Sequence, residues 1–463
     1  MTQSAHPLAR HFARIAAHAL ALCAMLAMAV QPVAAQSISI LRDAETEQLL
    51  QDMMDPLAEA AGLDRVEVVL VNDNSINAFV AGGQRVFVHS GLINAAEDAG
   101  EVQGVLAHEL GHITGGHVNR FSEGIGNATK ITLLSALLAA AAAFAGGGEA
   151  AMGILGAGQQ AAMGSFLAFN RTQEASADAA GAQYLSEAGI SGRGSLRFFE
   201  RLQNYEFRRA IPQTQEREYG RSHPLSGNRI ANLRGDYEID PAWNAPTDSD
   251  LQRRFERARA KLYGYLAPPE RVMVAYPAYM TGVPARYARA YAYHREAKVS
   301  EALAETDALL EMEPDNPYFL ELRGQVLLES GQVAEALPPL REAVRLTNST
   351  PLIATTLGHA LIATEDRANL DEAESVLRAA IGRDRENPFA WYQLGVVYGQ
   401  RGDTYLARLA SAEQQILSGN PQGALMNASA AEQGLPQGSP DWIRAQDVQL
   451  QARAMLERMA ERD

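Results

Sequence analysis

The chain has 463 residues, 47% of them hydrophobic, which is enough to bury more than one core and predicts two domains. A formal charge of −15 without any basic stripe excludes a nucleic-acid binder, because nothing neutralises phosphate; the expected partners are proteins or peptides.

In residues 1–35, Arg10 and Arg14 precede the apolar run "ALALCAMLAMAV", which ends at "QPVAAQS". Val33 and Ala35 are the small residues before a cut at Gln36, so the segment reads as a cleaved secretory signal rather than a membrane anchor. Cleavage removes Cys23, the only cysteine. A mature chain without disulfides must draw its stability from packing or a metal, and the periplasm of a Gram-negative bacterium is the compartment that fits.

Residues 36–267 mix two periodicities. "VEVVLV" (66–71) and "RVFVHSG" (85–91) are rich in β-branched and aromatic residues between Asn, Asp and Gly clusters and read as strands. Residues 101–120 and 171–188 carry helical spacing, which predicts an α+β unit with one small sheet.

The segment "HELGHITGGH" carries the chemistry. His108 and His112 are four apart and direct two imidazoles at one point, a pairing suited to zinc, while Glu109 can take a proton from a water that the metal acidifies. A catalytic zinc needs a third protein ligand. His117 falls one short of the position that a third histidine takes in the metzincin pattern, where Val118 stands. On a continuous helix its side chain would point away from the metal face, so it reads as a structural or hydrogen-bonding residue. In "NRTQEASADAAGAQYL", Glu174 and Asp178 face the same way; one can ligate the ion while the other orients a ligand histidine. H-E-x-x-H followed by a helical E-x-x-x-D is the gluzincin pattern, with one Zn²⁺ per chain.

Between these motifs, residues 131–168 are Ala/Gly-rich. The first apolar run, 131–145, is 15 residues long, shorter than the roughly 20 of a bilayer span. A hairpin that covers the cleft or touches a membrane surface is expected, the alternative being a buried helical pair.

Residues 268–282 read as a linker, and 283–463 as a repeat array with a C-terminal cap. Pro317, Gly324, Ala336 and Ala343 recur as Pro351, Gly358, Ala373 and Ala380 once a three-residue insertion near "EDRANL" is allowed. Trp391, Leu394, Gly395 and Tyr398 then reproduce W-x₂-L-G-x₂-Y, the tetratricopeptide (TPR) signature. A weaker copy lies around 290–310. About four stacked hairpins are expected, each covering its neighbour's apolar face.

"HELGH", "NRTQEASADAAG", "INAFVAGGQRVFVHSGLI" and "SHPLSGNRIANL" together resemble metallopeptidase family forty-eight, the gluzincins that include HtpX and the CaaX prenyl proteases. The signal and the repeats make the chain more similar to the periplasmic branch of that family. The implied fold is an α+β zincin-type (gluzincin) metallopeptidase domain followed by an all-α TPR solenoid. By this resemblance His108, His112 and Glu174 are zinc ligands, Glu109 is the general base and acid, and Asp178 orients a histidine ligand. His223 and Arg229 match a late pair that stabilises an oxyanion. His223 is also a possible fourth ligand that holds the site latent, unless it is only a turn residue before Pro224. Asn77, Ala78 and Phe79 are candidates for a sheet edge that takes up an extended peptide. The implied function is a periplasmic zinc-dependent endopeptidase in quality control of outer-membrane protein assembly. Its partners would be unfolded or misassembled outer-membrane proteins, and the β-barrel assembly machinery through the repeats. A chaperone or scaffold with a normally latent protease site is the alternative.

Overall fold

Asp43 caps the first helix, α1 (Ala44–Ala60), its carboxylate accepting from the Thr46 N–H. Leu49, Leu50, Met53, Met54 and Leu57 line the buried face of α1. The structure, a computed structural model, describes residues 39–144, 148–208, 223 and 227–461. The expected signal segment 1–35 lies outside them.

Three strands follow: β1 (Glu67–Val71), β2 (Ala78–Ala81) and β3 (Arg85–His89). They form one sheet in the order β1-β3-β2, with β1 parallel and β2 antiparallel to β3. The strand expectations at both ends of this segment match β1 and β3. "NAFVA" contributes the edge strand β2, whose Phe79 stacks on Phe87 across the pair with ring centroids 5.0 Å apart.

A short helix, α2 (Ser90–Ala95), leads to α3 (Ala99–Thr114), capped by Asp98. Almost every residue of α3 is buried, as befits a helix surrounded on all sides. Its neighbours are α1, the sheet, α5 (Gly148–Glu187) and α6 (Arg193–Arg208), and with α7 (Gly227–Glu238) and α8 (Ser249–Leu266) they close one core.

The helix expected over 101–120 is broken. Gly116 adopts a left-handed φ of +63°, and a new helix, α4 (His117–Phe144), begins directly after it. Helices α4 and α5 pack along each other as the hairpin expected over 131–168. Leu133, Leu134, Leu137 and Leu138 are each more than half exposed, so this is not a buried helical pair. Because α4 starts well before residue 131, the segment His117–Ala142 is long and apolar enough to cross a membrane, although the apolar run alone is too short.

The stretch 268–282, expected as a linker, is folded onto its neighbours. It contains α9 (Pro269–Ala275), whose Val272 is fully buried against Ala260, Ala288 and Ala292. Arg289 further secures it by donating to the carbonyls of Tyr276, Pro277 and Met280. The helix pairs of the repeat region follow: α10 (Val283–Arg295) with α11 (Val299–Met312), α12 (Pro317–Glu329) with α13 (Val333–Leu346), and α14 (Pro351–Ala363) with α15 (Leu370–Arg383). The last are α16 (Pro388–Arg401) with α17 (Thr404–Leu417), and α18 (Pro421–Gly434) with the long α19 (Pro440–Ala460). This is a TPR solenoid of four helix pairs over 283–417, with α18 and α19 at the place expected for the C-terminal cap. Trp391, Leu394 and Tyr398 of the signature are buried between successive helices, with the Trp391 indole N–H on the Arg385 carbonyl.

The described residues from Ile40 onward form one compact unit. A buried polar cluster joins its two parts: Lys261 of α8 contacts Asp43 and Glu45 at the start of α1, and the Tyr287 hydroxyl of α10 donates to Glu45 at 2.9 Å. Nearby, Arg42 reaches Asp384 of the solenoid at 2.8 Å.

Candidate metal centre

The site is built where α3 and α5 touch. Gly111, inside "HELGH", makes the contact possible: a Cβ there would stand 2.5 Å from the Ala177 carbonyl oxygen. With backbone against backbone, α5 delivers Glu174 and Asp178 to the face of α3 that carries His108 and His112. Gly111→Val must push α5 outward and take Glu174 with it. Metal affinity is expected to fall roughly 10-fold or more, as measured by chelator competition; wild-type affinity in that variant would remove the argument.

The four imidazole and carboxylate groups of His108, His112, Glu174 and His223 offer ligand atoms that all lie within 4.8 Å of one another. His108 Nε2 is 3.2 Å from His112 Nε2 and 3.5 Å from a Glu174 oxygen, and His112 Nε2 is 3.3 Å from the other. His223 Nδ1 lies 3.2 Å from His108 Nε2 and 3.1 Å from Glu174 Oε1. Four donors held about 2.0–2.1 Å from one ion in a tetrahedron stand about 3.3 Å apart, so this donor set fits a tetrahedral metal ion.

Glu109 follows His108 on the same helix and is almost wholly buried. Its Oε1 is 3.3 Å from His223 Nε2, and its Oε2, among the described residues, is buried without a hydrogen-bond partner. A buried carboxylate oxygen left open beside a metal site is where a water or a leaving amine can be met.

Asp178 Oδ1 stands 2.9 Å from His108 Nδ1, behind the ligand ring. Arg229, on α7, grips Asp178 through two nitrogens at 2.7 and 2.8 Å and reaches Glu174 at 2.8 Å. These donors lie on the two carboxylates, whereas the family resemblance pairs Arg229 with His223 around an oxyanion. Burial works against charge on His108, but the Asp178 and Glu174 carboxylates beside its ring carry its pKa up to about 10. Burial would likewise raise the carboxyls, yet His223 and His108 around Glu174, and Arg229 and His108 around Asp178, hold both below the ordinary range. Anionic carboxylates among imidazoles make a cation site.

His117 is not where a continuous helix would put it. The chain reversal at Gly115–Gly116 turns its ring back, with Nδ1 2.9 Å from His112 Nδ1 and Nε2 3.0 Å from Ser176 Oγ. It is a hydrogen-bonding residue, as the sequence suggests, but its ring faces His112 instead of pointing away, and the sequence reading missed its partner Ser176. The Gly-Gly pair was the available signal. Ala78 and Phe79 lie on the edge strand β2, with the Asn77 carbonyl accepting from the His89 N–H just before it, and β2 packs beside α3.

The model of peptidase family M48 matches residues 41–236, the stretch that contains every one of these residues. Residues 41–236 are a peptidase family M48 domain. The chain is therefore a metallopeptidase carrying a TPR solenoid. It is 26% identical over 383 residues to the beta-barrel assembly-enhancing protease of Yersinia pestis, covering 81% of this chain and 76% of that one. For the protein of the same name from Escherichia coli K12 the identity is 25% over 380 residues, covering 80% and 75%. Metalloprotease LoiP of E. coli K12 is 31% identical over 168 residues, 36% of this chain and 60% of that one. The solved TPR protein YrrB overlaps 38% of this chain and 91% of its own at 23% identity, with a TM-score of 0.32, so the repeat architecture rests on the helix pairs themselves.

Proposed function

We propose that this M48 metallopeptidase is a periplasmic zinc-dependent endopeptidase acting in quality control of outer-membrane protein assembly. Unfolded or misassembled outer-membrane proteins would be its substrates, and the solenoid would recruit them or the assembly machinery. The names of the full-length relatives support the substrate class. The observation that carries the chemistry is the donor set of His108, His112 and Glu174, spaced for one tetrahedral ion with Glu109 beside it.

His108, His112 and Glu174 would hold the zinc, which supplies Lewis acidity toward the scissile carbonyl and toward water. Glu109 takes the proton from the attacking water and returns it to the leaving amine. Asp178 keeps the His108 ring oriented, and Arg229 holds Asp178 and Glu174 in place, acting as a positioning residue. That leaves His223 to face the reacting carbonyl once it is drawn off the fourth corner. Among the described residues β2 is an outer strand of the sheet, and an extended peptide would be taken up along its backbone at Ala78 and Phe79, with Asn77 at its start, which gives weak sequence preference. The exposed leucines of α4 support peripheral membrane contact through 131–168.

His223 at the fourth corner supports a latent ground state. If the open form holds about a tenth of molecules, His223→Ala raises casein cleavage up to about 10-fold. The test is zinc content and casein cleavage for wild type and His223→Ala, with Glu109→Gln as the inactive control. Zinc below one equivalent in wild type sinks the metal reading, and lower cleavage with unchanged zinc makes His223 purely catalytic. Full rescue of an outer-membrane assembly defect by Glu109→Gln would favour the scaffold reading.

A further inference from the structure

The two ligand histidines are backed by different chemistry. His108 presents Nε2 to the site and has the carboxylate of Asp178 behind Nδ1, whereas His112 presents Nε2 and has a second imidazole, His117, behind it. An imidazole that ligates through Nε2 carries its proton on Nδ1, so His112 Nδ1–H must donate and His117 Nδ1 must accept. That leaves the His117 proton on Nε2, where it donates to Ser176 Oγ at 3.0 Å. The Ser176 hydroxyl in turn donates to the Gln173 carbonyl at 3.0 Å. Each proton has one acceptor, and the direction of the chain is set from the metal side outward.

We propose that His117, seated by Ser176, is a positioning residue that locks His112 in the Nδ1–H tautomer required for ligation through Nε2. Several features of the chain converge on this arrangement. The break at Gly115–Gly116 turns His117 back toward α3, and a Cβ at Gly115 would stand 2.2 Å from His117 Nε2, so the ring occupies space that only glycine leaves open. His117 is 7% exposed, which keeps water from replacing its acceptor nitrogen. Ser176 lies between Glu174 and Asp178 on α5, so one helix supplies a ligand, the acceptor behind His108 and the outer anchor behind His112.

This inference rests on the zinc reading, and the experiment separates their failures. Full-length wild type, His117→Leu, His117→Asn and Ser176→Ala are titrated with zinc against a chromophoric chelator, and the unfolding temperature of each metal-stripped form is recorded. Asparagine places an amide oxygen near the position of Nδ1 and keeps the acceptor; leucine removes it. His117→Leu is expected to bind zinc 10- to 100-fold more weakly. His117→Asn should recover most of that loss, and Ser176→Ala should show a smaller one, with metal-free unfolding temperatures alike. Equal zinc affinity in His117→Leu and wild type overturns the proposal, as does an equal loss in the leucine and asparagine variants. A loss that tracks the metal-free unfolding temperature overturns it in favour of a packing role. Absence of zinc binding by wild type overturns the metal reading itself.

Discussion

Glu109→Gln is expected to lower peptide hydrolysis by roughly 10²- to 10⁴-fold while metal content and unfolding temperature stay at wild-type values. The substitution keeps the volume and the hydrogen-bonding reach of the side chain but removes its capacity to accept a proton. Glu109 is not among the donors that converge on the ion position; it stands beside them, with Oε1 toward His223 Nε2 and Oε2 buried and open. The loss therefore belongs to proton transfer alone. Casein cleavage combined with metal analysis checks it: a variant that loses the metal, or one that cleaves at a tenth of the wild-type rate or better, would show that Glu109 is not the acid–base group.

The second large effect lies far from the metal. Lys261→Met is expected to destabilise the chain by about 3–5 kcal/mol, because it leaves the Asp43 carboxylate without its cation and takes one of two cations from the buried Glu45. The Lys261 ammonium is 4% exposed, 2.5 Å from Asp43 and 3.5 Å from Glu45. It joins α8 to the start of α1, and Glu45 is bound in turn by Arg257 and by Tyr287 of the solenoid. Burial opposes ionisation of Asp43, but Lys261 holds its carboxyl below the ordinary range. A depressed folded pKa means that this contribution is fully present above the unfolded value of about 3.9 and is lost as pH falls through the lower folded value. Urea unfolding at neutral pH should show the destabilisation in Lys261→Met, and the gap to wild type should narrow below pH 4. An unchanged midpoint at neutral pH would mean that the cluster adds nothing to the joint between the two parts.

What the sequence determined by itself is everything governed by spacing along a single helix. His108 with His112, and Glu174 with Asp178, each face one way because a helix repeats every 3.6 residues, and no tertiary contact is needed to see it. The TPR signature around Trp391 was legible for the same reason, since each repeat buries its apolar face against a sequence neighbour. The strands at 67–71 and 85–89 announced themselves by their β-branched residues, whereas the edge strand through Ala78 was suggested only by the family resemblance.

Only the tertiary structure decided which of these faces meet. That α3 and α5 approach backbone to backbone depends on Gly111 meeting Ala177, a docking that no periodicity expresses. A continuous helix through Gly115–Gly116 misplaces His117, because the single left-handed residue Gly116 changes the direction in which its side chain points. Arg229 and Lys261 likewise bind carboxylates distant in the chain, and the folded linker packs Val272 against helices on both sides of it. Such contacts depend on how whole elements dock, so their cause is the shape and burial of surfaces brought together by the fold, which local spacing does not record.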